Sequence, residues 1–119
     1  MYICNITFGA RSILKKEFER GKIPLKKDIT GHELRRGEST LDHTIAKSKK
    51  GPSNLYNYSL MNPIANNKRG NKPIRGYIDL ESLIEYIRVF LDVKTMEFDG
   101  IDYLRGWLKT LQRALREGK

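Results

Sequence analysis

The sequence predicts a small α+β protein, with helices near both ends and short strands between them. Apolar residues recur at helical spacing near both ends of the 119-residue chain. The middle, about 28–76, is rich in Gly, Asn, Ser and Pro, and its apolar runs are short. A chain of this length is most simply one domain with a modest core. We therefore predict a single domain over 1–119, with a C-terminal helical part over about 79–117.

The first predicted element is a helix over 10–20. Ile13, Leu14 and Phe18 lie on one face of that helix. Gly21 follows as the predicted stop, because glycine readily takes the left-handed conformation that ends many helices.

The middle region is predicted to hold turns, two short strands and one short helix. Gly-Pro-Ser-Asn is a strong turn signal, and the short apolar runs around it suit strands better than long helices. In order, the elements are a turn at 29–32, strands over 33–37 and 39–45, a turn at 51–54 and a helix over 58–68. Pro63 lies near the start of this helix, where its missing N–H costs little.

Two helices are predicted after the middle region. Asp79 and Asp99 are their N-caps, because an aspartate side chain can accept a hydrogen bond from the first turn. The first helix, over 80–91, carries one apolar stripe, and the second carries an apolar face opposite a basic one. The stripe is Leu80, Leu83, Ile84, Ile87 and Leu91; the apolar face is Ile101, Leu104, Trp107 or Leu108, Leu111 and Leu115; the basic face is Arg105, Lys109, Arg113 and Arg116.

The charge of the chain points to a polyanionic partner. The formal net charge is +9 and the pI is about 9.8, which favours nucleic acid first and an acidic membrane surface second. No apolar run approaches the roughly 20 residues that span a bilayer. The start of the chain also lacks the pattern of a signal peptide. We therefore expect no membrane partner.

The cysteine content limits the possible chemistry. Cys4 is the only cysteine, which excludes an intrachain disulfide and a cysteine-rich zinc site. A cytoplasmic location is expected on this basis. Cys4 itself is interpreted as a small buried hydrophobic residue.

The segment 41–71 concentrates the residues that can do chemistry. No acidic residue occurs between Asp42 and Asp79, although seven cations do: Lys47, Lys49, Lys50, Lys68, Arg69, Lys72 and Arg75. A neutral imidazole such as that of His43 can take a proton from water near neutral pH. The carboxylate of Asp42 and the amide oxygen of Asn66 are hard donors that suit Mg²⁺ better than zinc. Consecutive strand residues point to opposite faces, so a twist or bulge is needed before Asp42 and His43 can serve one site.

This segment resembles the motif of the HNH endonuclease family, whose core is a ββα-metal fold. The resemblance covers about 30–71, roughly a third of the chain. Its matches are the Asp42-His43 pair, the loop at 48–51, Asn57 placed 14 residues after the histidine, the N-x-x-K-G-N-like ending at 66–71 with Asn66 nine residues after Asn57, and the T-G-x-x-L-like stretch at 29–34. It implies a ββα core over about 28–76, flanked by the predicted helices.

The resemblance also implies a role for each matching residue. His43 would be the general base, and Asp42 and Asn66 would hold one Mg²⁺ or Mn²⁺ ion. Asn57 would brace the loop after the histidine through backbone hydrogen bonds. The substrate would be double-stranded DNA, cut to leave a 5′-phosphate and a 3′-hydroxyl. By the same resemblance, Lys68 and Arg69 would contact phosphate or stabilise the transition state. The positive charge of the segment adds five further cations as predicted DNA contacts: Lys47, Lys49, Lys50, Lys72 and Arg75.

The chain departs from the family pattern at several positions. Asn62 and Ala65 replace the cysteine pair that many members use for zinc, so no structural zinc is expected. Thr44 and Ala46 replace residues usual after the histidine, and Asn67 is a rival metal ligand. Two alternatives therefore stay open: an inactive HNH-fold protein for DNA binding or packaging, and a basic interaction protein. A phage or homing-type origin is expected, in the host cytoplasm, and the oligomeric state is left open.

Overall fold

The computed structural model describes residues 13–46, 51 and 54–117, in which one helix precedes two paired strands and three helices follow them. The described part of α1 covers 13–19. The later elements are β1 (Thr40–His43), β2 (Tyr58–Met61), α2 (Pro63–Arg69), α3 (Leu80–Leu91) and α4 (Gly100–Glu117), with single 3-10 turns at Leu55–Asn57 and Ile74–Tyr77. The α+β class is confirmed. Cys4 lies outside the described residues.

β1 and β2 form a two-stranded antiparallel sheet, and α2 follows directly. The register pairs Thr40 with Met61, Leu41 with Leu60, Asp42 with Ser59, and His43 with Tyr58. This register has no bulge, so Asp42 and His43 point to opposite faces of β1. The ring centroids of His43 and Tyr58 are 4.8 Å apart, as expected for paired residues on one face.

Two predicted elements differ from the structure. The helix predicted over 58–68 is wrong for its first part, because Tyr58–Met61 is a fully buried strand and the helix begins at Pro63. Burial on both faces hides the alternation that would mark a strand in the sequence. The strand predicted over 33–37 is reduced to a single bridge between Lys27 and Glu33.

An aromatic cluster between α3 and α4 forms the centre of the core. The rings of Tyr86 and Trp107 stack at 4.7 Å, and Phe90 lies 4.9 Å from Tyr103. All four side chains are fully buried. Tyr103 donates a hydrogen bond of 2.6 Å to the carbonyl of Tyr58, so the cluster also supports β2.

The caps of α3 and α4 are as predicted, but the buried face of α3 is not. Asp79 accepts hydrogen bonds from the backbone N–H of Ser82 at 3.1 Å and from its hydroxyl at 2.6 Å, and Asp99 accepts one from the N–H of Ile101 at 3.0 Å. The side of α3 that is buried carries Tyr86 and Phe90, whose rings cover more apolar area than leucine or isoleucine. Three members of the predicted stripe are exposed as a result: Leu80, Ile84 and Leu91.

Polar contacts hold the start of α2, where many HNH proteins have a zinc-binding cysteine. The Asn62 side chain caps α2 by accepting from the N–H groups of Ile64 at 2.8 Å and Ala65 at 3.2 Å. The backbone N–H of Asn62 donates to Oδ2 of the buried Asp28 at 2.8 Å. The other oxygen of Asp28 accepts from the backbone of Thr30 and His32. One carboxylate therefore ties the 28–32 turn to the beginning of α2.

Candidate functional site at the end of β1

His43 is the last residue of β1 and is partly exposed. Its ring packs on Tyr58, with an angle of 56° between the two planes. The three residues that follow, Thr44, Ile45 and Ala46, are buried. The imidazole therefore lies where a short strand passes into a buried loop, and its direction depends on how that loop is held.

Asn57 holds the loop from one side. Its side-chain oxygen accepts a hydrogen bond from the Ile45 N–H at 2.8 Å, and its side-chain nitrogen donates to the Ile45 carbonyl at 3.0 Å. Its own carbonyl accepts from the Thr44 N–H at 2.7 Å. These are the backbone hydrogen bonds that the resemblance implies for a brace, whereas any effect of Asn57 on catalysis stays a prediction.

Gly51 allows the chain to return closely against the same loop. Its N–H donates to the Ala46 carbonyl at 3.0 Å. A Cβ atom at this position would lie 1.8 Å from the Ile45 carbonyl oxygen, which no side chain can tolerate. The glycine that ends the Ser-Lys-Lys-Gly sequence is therefore required by the close approach of two backbone segments.

Arg69 holds the loop from the other side, and its position corrects the prediction that it contacts phosphate. Its side chain is only 2% exposed. Nη1 bonds the Asp42 carboxylate and the His43 carbonyl, the latter at 2.8 Å. Nη2 donates to the Thr44 carbonyl and Nε to the Lys72 carbonyl, each at 2.8 Å. Four hydrogen bonds hold the guanidinium inside the protein, so Arg69 is not a surface cation.

Asp42 is engaged by Arg69 instead of lying open to a metal ion. The residue is 7% exposed, and its Oδ2 receives the guanidinium. Burial raises the pKa of the Asp42 carboxyl above its ordinary value, although the charge and hydrogen bond of Arg69 act in the opposite direction. A buried carboxylate already neutralised by a guanidinium is a poor ligand for Mg²⁺. As placed, Asp42 and Asn66 do not form a ready metal site.

The remaining metal candidates lie on α2. Ala65 and Arg69 mark the buried face of this helix. Asn66 is partly exposed and lies one turn before Arg69, at the edge of that face, while its rival Asn67 is exposed. No cluster of three or more His, Cys, Asp or Glu side chains suited to a metal occurs in the part of the chain that the structure describes.

Three of the predicted DNA-binding cations lie on the described surface. Lys68, Lys72 and Arg75 are exposed. Lys47, Lys49 and Lys50 lie outside the described residues. The basic face of α4 is also exposed: Arg105, Lys109, Arg113 and Arg116. No acidic residue occurs over 103–116, so this face is cationic along most of its length.

α4 reaches the candidate site near its C-terminal end. Ala114 lines a small cavity together with Ile45, Arg69 and Lys72. The loop after His43, the exposed Lys72 and the last turns of α4 are therefore neighbours. The structure adds two features that the sequence did not predict, the internal position of Arg69 and the support of α2 by Asp28.

A hint of both features is present in the sequence. Arg69 lies four positions after Ala65, so a helix that buries one of these side chains tends to bury the other. Asp28 is followed by Ile-Thr-Gly, a setting in which aspartate commonly accepts backbone hydrogen bonds in a turn.

Comparison of the chain with protein-family models, with curated proteins and with solved structures finds no match in any of the three. Among the described residues, none of the helices combines the length and apolar character needed to cross a bilayer.

Proposed function

We propose that this chain is an HNH-type endonuclease that hydrolyses phosphodiester bonds of double-stranded DNA. The observation that carries the proposal is the arrangement around His43. A histidine ends the first strand of a strand–strand–helix unit, and Asn57, 14 residues later in the sequence, fixes both backbone groups of Ile45. The sequence resemblance and the local geometry therefore agree on the residue that braces the histidine loop.

In this proposal His43 takes a proton from a water molecule, which then attacks the scissile phosphorus. The 3′-oxygen leaves, so the products carry a 5′-phosphate and a 3′-hydroxyl. The exposed side chains of Lys68, Lys72 and Arg75 bind the phosphates of the strand. Preorganised cations of this kind also stabilise the charge that develops in the transition state.

The resemblance implies Mg²⁺ or Mn²⁺ as cofactor, and an ion of this kind would neutralise charge on the scissile phosphate. The arrangement of the described residues supports the base and the phosphate-binding cations. It does not support Asp42 as a ready ligand, because that carboxylate is bound to Arg69. Metal dependence is accordingly proposed from the resemblance alone.

The test is nicking of supercoiled plasmid by the purified protein with Mg²⁺ or Mn²⁺. We expect the wild type to nick and His43→Ala to lose cleavage with nearly unchanged DNA affinity, because a general base acts mainly in the transition state. His32→Ala is the matched control, since His32 is the only other histidine and is exposed. Equal cleavage by the His43 and His32 variants would exclude His43 as the base.

A second candidate function is DNA binding without catalysis. Asp42 and His43 lie on opposite faces of β1, and Asp42 is occupied by Arg69. Both observations favour a protein that keeps the ββα scaffold and lacks a working metal site. Retardation of the plasmid on a gel, with no nicking at any Mg²⁺ or Mn²⁺ concentration, would favour this function over the first.

A further inference from the structure

We propose that Arg69 is the resident cation of the candidate site. Its guanidinium neutralises Asp42, the carboxylate that the resemblance assigns to a divalent metal, and it also positions the backbone that carries His43. The positioning role rests on the proposed function of His43 as a base. The role as resident cation stands on the contacts of Arg69 itself.

Asp42 is a buried acid that needs a counter-ion. Asp42 is 7% exposed, and an ionised carboxylate at that depth needs a cation beside it. Among the described residues, the cation in contact with Asp42 is Arg69. A guanidinium stays protonated at all physiological pH values, so it remains a counter-ion whether or not a metal is available.

The hydrogen bonds of Arg69 fix the backbone around His43. Four hydrogen bonds hold the guanidinium, and three of its acceptors are carbonyl or carboxylate oxygens of the consecutive residues Asp42, His43 and Thr44. Asn57 holds the next residue, Ile45, through both of its backbone groups. Four consecutive residues around the histidine are thus fixed by two buried side chains.

A lysine at position 69 would supply the charge of Arg69 but not its hydrogen-bonding geometry. A lysine ammonium is a single charged point on a flexible stem, whereas arginine presents several donors in a rigid plane. Lysine can therefore neutralise Asp42 without holding the carbonyls of His43 and Thr44 at the same time. Arg69→Lys separates the charge of Arg69 from its positioning role.

The charge is tested by Mn²⁺ binding, measured by calorimetry and by electron paramagnetic resonance on Arg69→Gln, Asp42→Asn and the double variant. We expect Arg69→Gln to raise Mn²⁺ affinity by about tenfold or more, because the carboxylate loses its counter-ion and becomes free to bind the metal. The gain should vanish in the double variant, and Asp42→Asn alone should leave wild-type affinity unchanged. Lys68→Gln removes an exposed cation from the same helix and serves as the control.

Urea unfolding of the same variants covers the case in which one of them is too unstable for calorimetry. The double variant should be more stable than the sum of the two single losses predicts, because each single change leaves a buried partner unpaired. Additive losses, or a wild-type Mn²⁺ site that Asp42→Asn weakens, would overturn the resident-cation proposal.

The positioning role is tested by the NMR signals of the His43 ring, which the nearby Tyr58 ring shifts. Arg69→Lys should move these signals while those of His32 stay in place; unmoved His43 signals in the folded variant would overturn this role.

Plasmid nicking is scored on the same wild-type sample. If the wild type cleaves and its Mn²⁺ site depends on Asp42, the resident-cation proposal is rejected and the nuclease proposal is kept. If the wild type does not cleave and the Mn²⁺ and unfolding results are as expected, the nuclease proposal is rejected and the resident cation is kept.

Discussion

At the scale of single residues, two buried polar side chains set the conformation around His43. Asn57 acts as a strand partner for Ile45, and Arg69 gathers three oxygens from neighbouring residues. Both residues replace backbone pairing that a longer sheet would provide. The loop after β1 is therefore ordered by side chains, which makes its shape unusually sensitive to single substitutions.

Asn57→Ala should lower the free energy of unfolding by about 2–4 kcal/mol, because the Ile45 N–H and carbonyl are both left buried and unpaired. Urea unfolding followed by circular dichroism measures the change. Asn54→Ala is the control, since Asn54 is exposed and caps only a single 3-10 turn. A loss at position 57 no larger than that at position 54 would contradict the bracing role.

The sequence predicted one of these two residues and misplaced the other. Asn57 was predicted as a brace because its spacing from His43 matches a known pattern. Arg69 follows Lys68 in a segment without acidic residues, where a cation is normally a solvated surface residue. The spacing from Ala65 is a local hint of burial, but the partner of Arg69 is Asp42, 27 residues earlier, and no local pattern indicates a contact at that separation.

At the scale of the elements, α2 shows how this unit is held together through polar contacts. Asn62 caps the helix, Asp28 ties the start of the helix to the 28–32 turn, and Arg69 fixes its last turn to β1. Departure from the cysteine pattern predicts that polar or apolar packing holds this helix, but it does not indicate which residues do so. Those residues lie far apart in sequence.

Gly51→Ala should destabilise the loop after β1 by about 1–3 kcal/mol, the usual cost of forcing atoms into filled space. The added Cβ would lie 1.8 Å from the Ile45 carbonyl oxygen, so the backbone must move. Gly76→Ala is the matched control, because its Cβ would meet no atom within 4 Å. Thermal unfolding of both variants checks the prediction, and equal melting temperatures would contradict it.

Asp79 should make α3 sensitive to acid. Hydrogen bonds from the Ser82 hydroxyl and backbone N–H lower the pKa of Asp79 below its ordinary value of 3.8. Its contribution to stability is therefore present above pH 3.8 and is lost as the pH falls through the lowered pKa. Burial of Asp42 raises its pKa, so that group contributes with the opposite sign.

Asp79→Asn keeps a capping oxygen and removes the titration. Its melting temperature should fall less steeply than that of the wild type as the pH is lowered from about 4 to about 2. Asp92→Asn, the same substitution at the other end of α3, is the control. An unchanged slope in Asp79→Asn would show that the cap does not contribute to acid sensitivity.

At the scale of the whole molecule, one core supports both the helices and the sheet. Trp107 and Tyr103 of α4 bond Ser59 and the Tyr58 carbonyl of β2. Helical periodicity predicted both C-terminal helices and their caps. It did not predict which side of α3 is buried, because that choice is made by Tyr86 and Phe90 packing against α4 and is not visible within α3 alone.

The proposed DNA-binding surface, formed by Lys68, Lys72 and Arg75, should hold DNA mainly through its phosphates. Replacing Lys72 and Arg75 by glutamine should weaken DNA binding and flatten the slope of log K against log salt by about 2, since each lost phosphate contact contributes about 0.9. Fluorescence anisotropy at several salt concentrations measures the slope. Lys94→Gln is the control, because Lys94 already pairs with Asp99 at 3.0 Å; an unchanged slope in the double variant would place the DNA elsewhere.

The hydroxyl of Ser59 joins two parts of the molecule that are distant in sequence. It accepts a hydrogen bond from the Trp107 indole at 2.8 Å and shares another, of 2.7 Å, with the hydroxyl of Thr44, next to His43. Trp107 is the only tryptophan in the chain. Trp107 is therefore an intrinsic fluorescent probe. A ligand that displaces the loop after His43 should alter the surroundings of the indole, so that tryptophan emission can follow binding without an attached dye.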